Sequence, residues 1–191
     1  MKRVAVIALL ALSLPMAAWA TSSIDIINRG GSISASMSGL SGTSTVIAIG
    51  DTGGPNLATL TFQTGAFATA SDAQNGGMLA AGGSFVITGS SGIIFSGTFT
   101  GPVQWGLLTA ADGSHNYTLT GAISGTWTAT GATVVGATTQ ITLNTGKGFF
   151  SGTVDISSGD TNIVIPEPGT LGLLGTGLLG IAGLVRRKLT T

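Results

Sequence analysis

Cysteine is absent from the 191 residues. No disulfide, thiol nucleophile or thiolate-bound metal is therefore open to this chain, and a secreted domain built from it must rely on its core. Charge is scarce as well: 7% of residues are charged, against about 25% in ordinary domains. His115 is the sole histidine and Glu167 the sole glutamate. A Ser-His-Asp arrangement is conceivable in a chain so rich in serine, but residues 21–165 hold no Gly-x-Ser-x-Gly elbow. Glycosidases generally need two carboxylates. Here the aspartates fall in separate turns, and only Asp155 and Asp160 are close in sequence. The reading is of a protein that is not an enzyme and has no cofactor, with His115 exposed in the polar turn Asp112-Gly-Ser-His-Asn.

Five of the seven basic residues sit at the two ends. Lys2-Arg3, an apolar run from Val4 to Leu14, Pro15 and then Ala18-Trp19-Ala20 have the order of a secretory signal peptide over 1–20. Small residues at Ala18 and Ala20 place the cut before Thr21, which implies the Sec machinery and a signal peptidase as partners. At the other end, residues 166–191 begin with Pro166-Glu167-Pro168. Seventeen uncharged residues follow, 169–185, and then Arg186-Arg187-Lys188. A 17-residue helix is about 26 Å long, enough to cross a ~30 Å hydrocarbon core if flanking residues snorkel or the bilayer thins. The basic triplet acts as a membrane stop on the cytoplasmic side. Six glycines make the helix marginal, which suits a temporary hold on the inner membrane. The two prolines keep the segment before the helix extended and exposed.

This tail closely resembles the PEP-CTERM sorting signal: Pro-Glu-Pro, a Gly/Leu-rich membrane helix and a terminal basic cluster. The resemblance implies a Gram-negative bacterium and a partner exosortase, a membrane enzyme that removes the tail at Pro166, Glu167 and Pro168. It implies delivery of the body to the cell surface or to an exopolysaccharide biofilm matrix. It covers only the tail and leaves residues 21–165 to be read from their own chemistry.

Between the ends, 21–165 has the length of one domain. Arg29 and Lys147 against Asp25, Asp51, Asp72, Asp112, Asp155 and Asp160 leave it at −4, which excludes the basic stripe that nucleic-acid binding requires. Runs rich in Thr, Val, Ile and Phe, bounded by Gly, Asn and Asp, predict strands over 43–49, 56–63, 84–88, 93–100, 103–108, 116–120, 125–130, 138–143 and 149–156. Thr98-Phe99-Thr100 and Thr126-Trp127-Thr128 show the period of two. Asn75-Gly76-Gly77 and Asp112-Gly113 mark tight turns. No stretch has a helical period. The fold class is all-β: a sandwich, a barrel-like meander or a short solenoid. Ser-Gly-Thr recurs at 41–43, 96–98, 124–126 and 151–153. It reads as a strand idiom, with Gly97, Gly125 and Gly152 at bulges or close strand approaches.

Two ligand classes suit these residues. Trp105, Tyr117 and Trp127 could stack on sugar rings, with Trp105, near a turn, the one expected to be exposed. Asp51, Asp112, Asp155 and Asp160 put oxygen ligands in loops where calcium could bind, although none matches a known loop spacing. The leading function from sequence is a secreted surface or matrix structural protein. The alternative is an extracellular carbohydrate- or calcium-binding module.

Overall fold

The computed structural model describes residues 21–69 and 72–166. The signal peptide with Ala18 and Ala20, Glu167 and Pro168, the apolar run 169–185 and the basic stop Arg186, Arg187 and Lys188 lie outside the described residues. Ser23–Ile165 forms one compact unit. Its elements are β1 (Thr21–Ser36), β2 (Gly39–Ile49), β3 (Thr52–Gln63), a single helical turn α1 (Asp72–Asn75), β4 (Gly77–Leu79), β5 (Gly82–Gly89), β6 (Gly92–Phe99), β7 (Val103–Thr109), β8 (His115–Trp127), β9 (Ala132–Asn144), β10 (Thr153–Asp155) and β11 (Ser158–Pro166).

Of the three architectures open to the sequence, the chain forms the barrel. Eight strands close a ring in the order β1, β2, β3, β5, β6, β8, β9, β11 and back to β1. The pairings around the ring from β1 to β11 are antiparallel. With eight staves the parity works out, so β11 returns antiparallel to β1. Closure removes the sheet edges that would otherwise recruit other chains. β8 is the central stave. β9 runs along one of its edges from Asn116 to Trp127. Its other edge is shared: β6 pairs with Ile123–Trp127 and β7 with His115–Thr120. β7 therefore leaves the ring as a flap, with β4 on its outer edge. β10 pairs with β1 at Ser32–Ser34.

The inside is packed by side chains. Ile33, Leu40, Leu60, Phe85, Phe95, Phe99, Leu119, Ile123, Ile141 and Ile163 are at most 1% exposed. Burying each contributes about 1.5–3 kcal/mol. Phe85 lies at the centre, edge-on to Phe95 and Phe99 at centroid distances of 6.2 and 6.0 Å. Glycine makes room for these rings. A Cβ on Gly121 would sit 2.8 Å from the Phe99 ring, and one on Gly42 2.6 Å from Phe62. One polar layer interrupts the core: Asn28 Nδ2 donates to Ser44 Oγ at 2.7 Å, and Ser44 Oγ to the Gly30 carbonyl at 2.6 Å. The hydroxyls of Thr139 and Thr161 bond at 2.8 Å. Outside, the alternation delivers threonine, serine and amides. Ser32, Thr43, Thr61, Val86, Ser96, Thr126 and Thr133 are successive cross-strand partners around most of the wall. Strands β2, β3, β5, β6, β7 and β9 carry no charged residue.

Several sequence expectations are borne out. Phe99 and Trp127 point inward while Thr98, Thr100, Thr126 and Thr128 are exposed. Gly76 and Gly113 take φ of 80° and 83° at the expected turns, a region glycine enters at no steric cost. Two Ser-Gly-Thr copies lie against each other: Ser96 faces Thr126, Gly97 faces Gly125 and Thr98 faces Ser124. A Cβ on Gly125 would lie 2.2 Å from the Ser96 carbonyl oxygen, so the two backbones approach more closely than alanine permits. Other expectations are corrected. Gly152 stands in open space with a φ of 64°, at a turn instead of a strand approach. Residues 116–120 and 125–130 belong to one long strand that ends at Trp127. Most of 149–156 is a loop that crosses the barrel end, and only β10 pairs. Strands β1, β4 and β11 fall outside the predicted runs. α1, too short to show a period, was also missed.

The two ends of the barrel differ. At one end lie the turns β2–β3, β5–β6 and β8–β9, the start of β1 and the exit of β11. At the other lie α1, the β4–β7 flap, the two-residue β1–β2 turn and the connections 64–69, 110–114 and 145–152.

Candidate functional site

The sequence-predicted sugar platform is not a surface. Trp105 is 1% exposed, Tyr117 buried and Trp127 8% exposed. The expectation that Trp105 is exposed is therefore wrong: β4 and α1 cover it. Trp105 and Tyr117 stack on each other at 5.1 Å and 21°, and Phe150 closes edge-on to Trp105 at 5.4 Å. Their polar tips hold α1 in place. Trp105 Nε1 donates to the Ala73 carbonyl at 2.9 Å and the Tyr117 hydroxyl to the Gln74 carbonyl at 2.6 Å. Phe150 N donates in turn to the Tyr117 hydroxyl at 3.0 Å. A short helix leaves its last carbonyls orphaned, and here two aromatic side chains satisfy them. Trp127 packs at the other end, opposite Phe95 in register. A ring that binds sugar needs a free face, and these faces are spent on packing.

His115 is also corrected, being buried instead of exposed. It is 8% exposed, stacked under Phe149 at 4.4 Å, with Nδ1 3.2 Å from the Gly148 carbonyl. The loop 145–152 folds over it, with His115 N donating to the Gly146 carbonyl.

The four loop aspartates do not converge. Asp51 is in the β2–β3 turn, Asp112 between β7 and β8, Asp155 on β10 and Asp160 on β11. Among the described residues no group of three or more His, Cys, Asp or Glu could hold a metal ion. Asp112 is a turn residue: its Oδ1 accepts from Ser114 N at 3.0 Å and Ser114 Oγ at 2.7 Å. Those two bonds hold its carboxyl below the usual range.

The structure joins a pair the sequence reading did not name. Asp160 shares a hydrogen bond with Asp25, across the seam where β11 meets β1. That bond, with partial burial and the nearby negative charge adding, pushes Asp160 up to about 6. The two residues are 135 positions apart in sequence, and only barrel closure makes them neighbours. On the barrel exterior Asp160 adjoins Gln140, its cross-strand partner, and Thr120 beyond it.

β11 itself is the strand that matters for the tail. Thr161 and Ile163 are wholly buried, and the strand runs to Pro166. The strand thus reaches the first proline of Pro166-Glu167-Pro168. No curated protein and no solved structure matches the chain. The family model of the PEP-CTERM protein-sorting motif matches residues 164–188. The match begins within β11 and ends at the last basic residue, so the chain carries a C-terminal PEP-CTERM sorting signal, the mark of an exported protein processed by an exosortase at the membrane.

Proposed function

We propose that the protein is a non-enzymatic structural component of the cell surface or exopolysaccharide matrix, released to that destination when an exosortase removes the tail. The observation that carries the reading is the junction at residues 164–166: the sorting motif starts inside the strand that closes a packed barrel. A cut beyond Pro166 would leave the closed barrel intact as the mature product. Two further facts support it. The sole histidine is committed to packing under Phe149. The barrel wall offers hydroxyls and amides with little charge, suited to a hydrated, neutral surrounding.

The test is mass spectrometry of the mature C-terminus in an exosortase-bearing strain. We expect a product that retains Ile163 and lacks Arg186-Arg187-Lys188. Replacing Pro166, Glu167 and Pro168 by alanine should trap the full-length form in the inner membrane. An intact basic tail on the surface protein would reduce the segment to a plain anchor.

A further inference from the structure

We propose that, while the tail is still in the membrane, the β2–β3, β5–β6 and β8–β9 turns form a docking face that rests on the lipid surface. This depends on the sorting reading above, because it needs the tail inserted. The first argument is reach. β11 ends at Pro166 and the apolar run begins at Gly169. Three residues of extended chain span at most about 11 Å. The barrel end from which β11 leaves is therefore held within that distance of the start of the membrane segment. A tether so short gives the barrel little freedom to lift away.

The second argument is the chemistry of that end. Its turns are Gly50-Asp51, Ser90-Ser91 and Thr128-Ala129-Thr130-Gly131. They are short and small; Asp51 is their only charge, and Asp25 of β1 sits beside the first of them, its carbonyl accepting from Gly50 N at 2.7 Å. Between the last two lies an open depression of about 340 Å³, whose apolar lining includes Leu57, Ile93, Ile94 and Ala129. Ile93 is 51% exposed. The opposite end carries Asp72, Asp112 and Lys147 in its turns and connections and exposes Met37, Leu108 and Phe149, but it is a barrel length away from the tether. A small surface with one apolar hollow, two aspartates and no basic group, held next to the membrane segment, fits the interfacial zone of a zwitterionic bilayer. It offers no basic groups for anionic headgroups, so its contact should not require anionic lipid and should change little with salt.

The absence of native cysteine makes the test direct. Single cysteines are placed in the full chain at Ser91 in the docking face, at Ser38 at the opposite end, and at Leu178 in the tail. Each is labelled with an environment-sensitive fluorophore and reconstituted into phosphatidylcholine vesicles containing a nitroxide lipid, headgroup-labelled for positions 91 and 38 and acyl-chain-labelled for position 178. We expect strong quenching at position 178, and several-fold more quenching at position 91 than at 38. Adding Ile93→Asp should reduce quenching at 91 and leave 178 unchanged. A quenched 178 with equal signals at 91 and 38 would overturn the docking face while leaving the sorting reading standing. An unquenched 178 would overturn both. Quenching at 91 that disappears in salt, or that ignores Ile93→Asp, would overturn the apolar contact proposed here.

Discussion

The two ends of this barrel solve the same problem differently. At the end where β11 leaves, strands are joined by turns of two to four residues, and the chain turns back as soon as each strand runs out. At the opposite end only the β1–β2 turn is as short, and the other connections fold into a cap of α1, β4, β7 and the loop 145–152. The cap is held by Trp105, Tyr117 and Phe150, three of the largest fully buried side chains. The contrast shows where the chain invests its few aromatics. Trp105, Tyr117 and Phe150 plug the end where short turns do not close it, while Phe85, Phe95 and Phe99 fill the middle and Trp127 packs at the other end.

The largest effect should come from breaking the plug. Trp105→Ala removes a stacked, fully buried indole and the donor to Ala73, and should destabilise the barrel by about 3–5 kcal/mol in urea denaturation. Ser91→Ala at the short-turn end should stay within about 0.5 kcal/mol. Equal effects at both ends would remove the basis of the contrast. A middle-sized effect separates packing from hydrogen bonding within the plug. Tyr117→Phe keeps the ring but leaves Phe150 N and the Gln74 carbonyl without their partner. A loss of about 1–3 kcal/mol is expected for a buried donor left unpaired. Hydrogen exchange should show the loss confined to α1 and the loop 145–152.

The smallest effect concerns the seam. The folded-state value of Asp160 is raised to about 6 from 3.8. A raised carboxyl favours the native state in its protonated form, so the contribution is complete below about pH 4 and disappears as pH rises through 6. Asp160 is largely exposed, and solvent screening holds the effect under about 1 kcal/mol. Wild-type stability should therefore fall slightly between pH 4 and 7. In Asp160→Asn this segment of the pH profile should be flat. An identical slope in both proteins would show that the Asp25–Asp160 contact has no energetic consequence.

How far the sequence could be read depended on how far apart the partners lie. Alternation at Thr98-Phe99-Thr100 exposed the inward face because a strand's period is local. The glycine at Asp112-Gly113 marked its turn because positive φ is a property of one residue. β1 was hidden because Gly30 and Gly31 break its run and because Asn28 occupies a core position. Asn28 is tolerated there only because Ser44, on the next strand, accepts its amide. β11 was hidden because Gly159, Asp160 and Asn162 interrupt its apolar alternation and because it runs into the proline signal of the tail. Trp105 was misjudged because the elements that cover it, α1 and β4, lie about 30 residues earlier in the chain.

The sequence by itself determined the all-β class, most of the strand positions and the sorting signal. Each depends on patterns within ten to thirty contiguous residues, where periodicity, turn chemistry and an apolar run next to a basic stop act locally. Only the tertiary structure decided that the strands close into a barrel. Closure requires β11 to find β1 after 121 intervening residues, and nothing local encodes that pairing. Closure brought Asp25 to Asp160 and placed the exit of β11 among the short turns, while the packing of α1, β4 and the loop 145–152 buried Trp105, Tyr117 and His115.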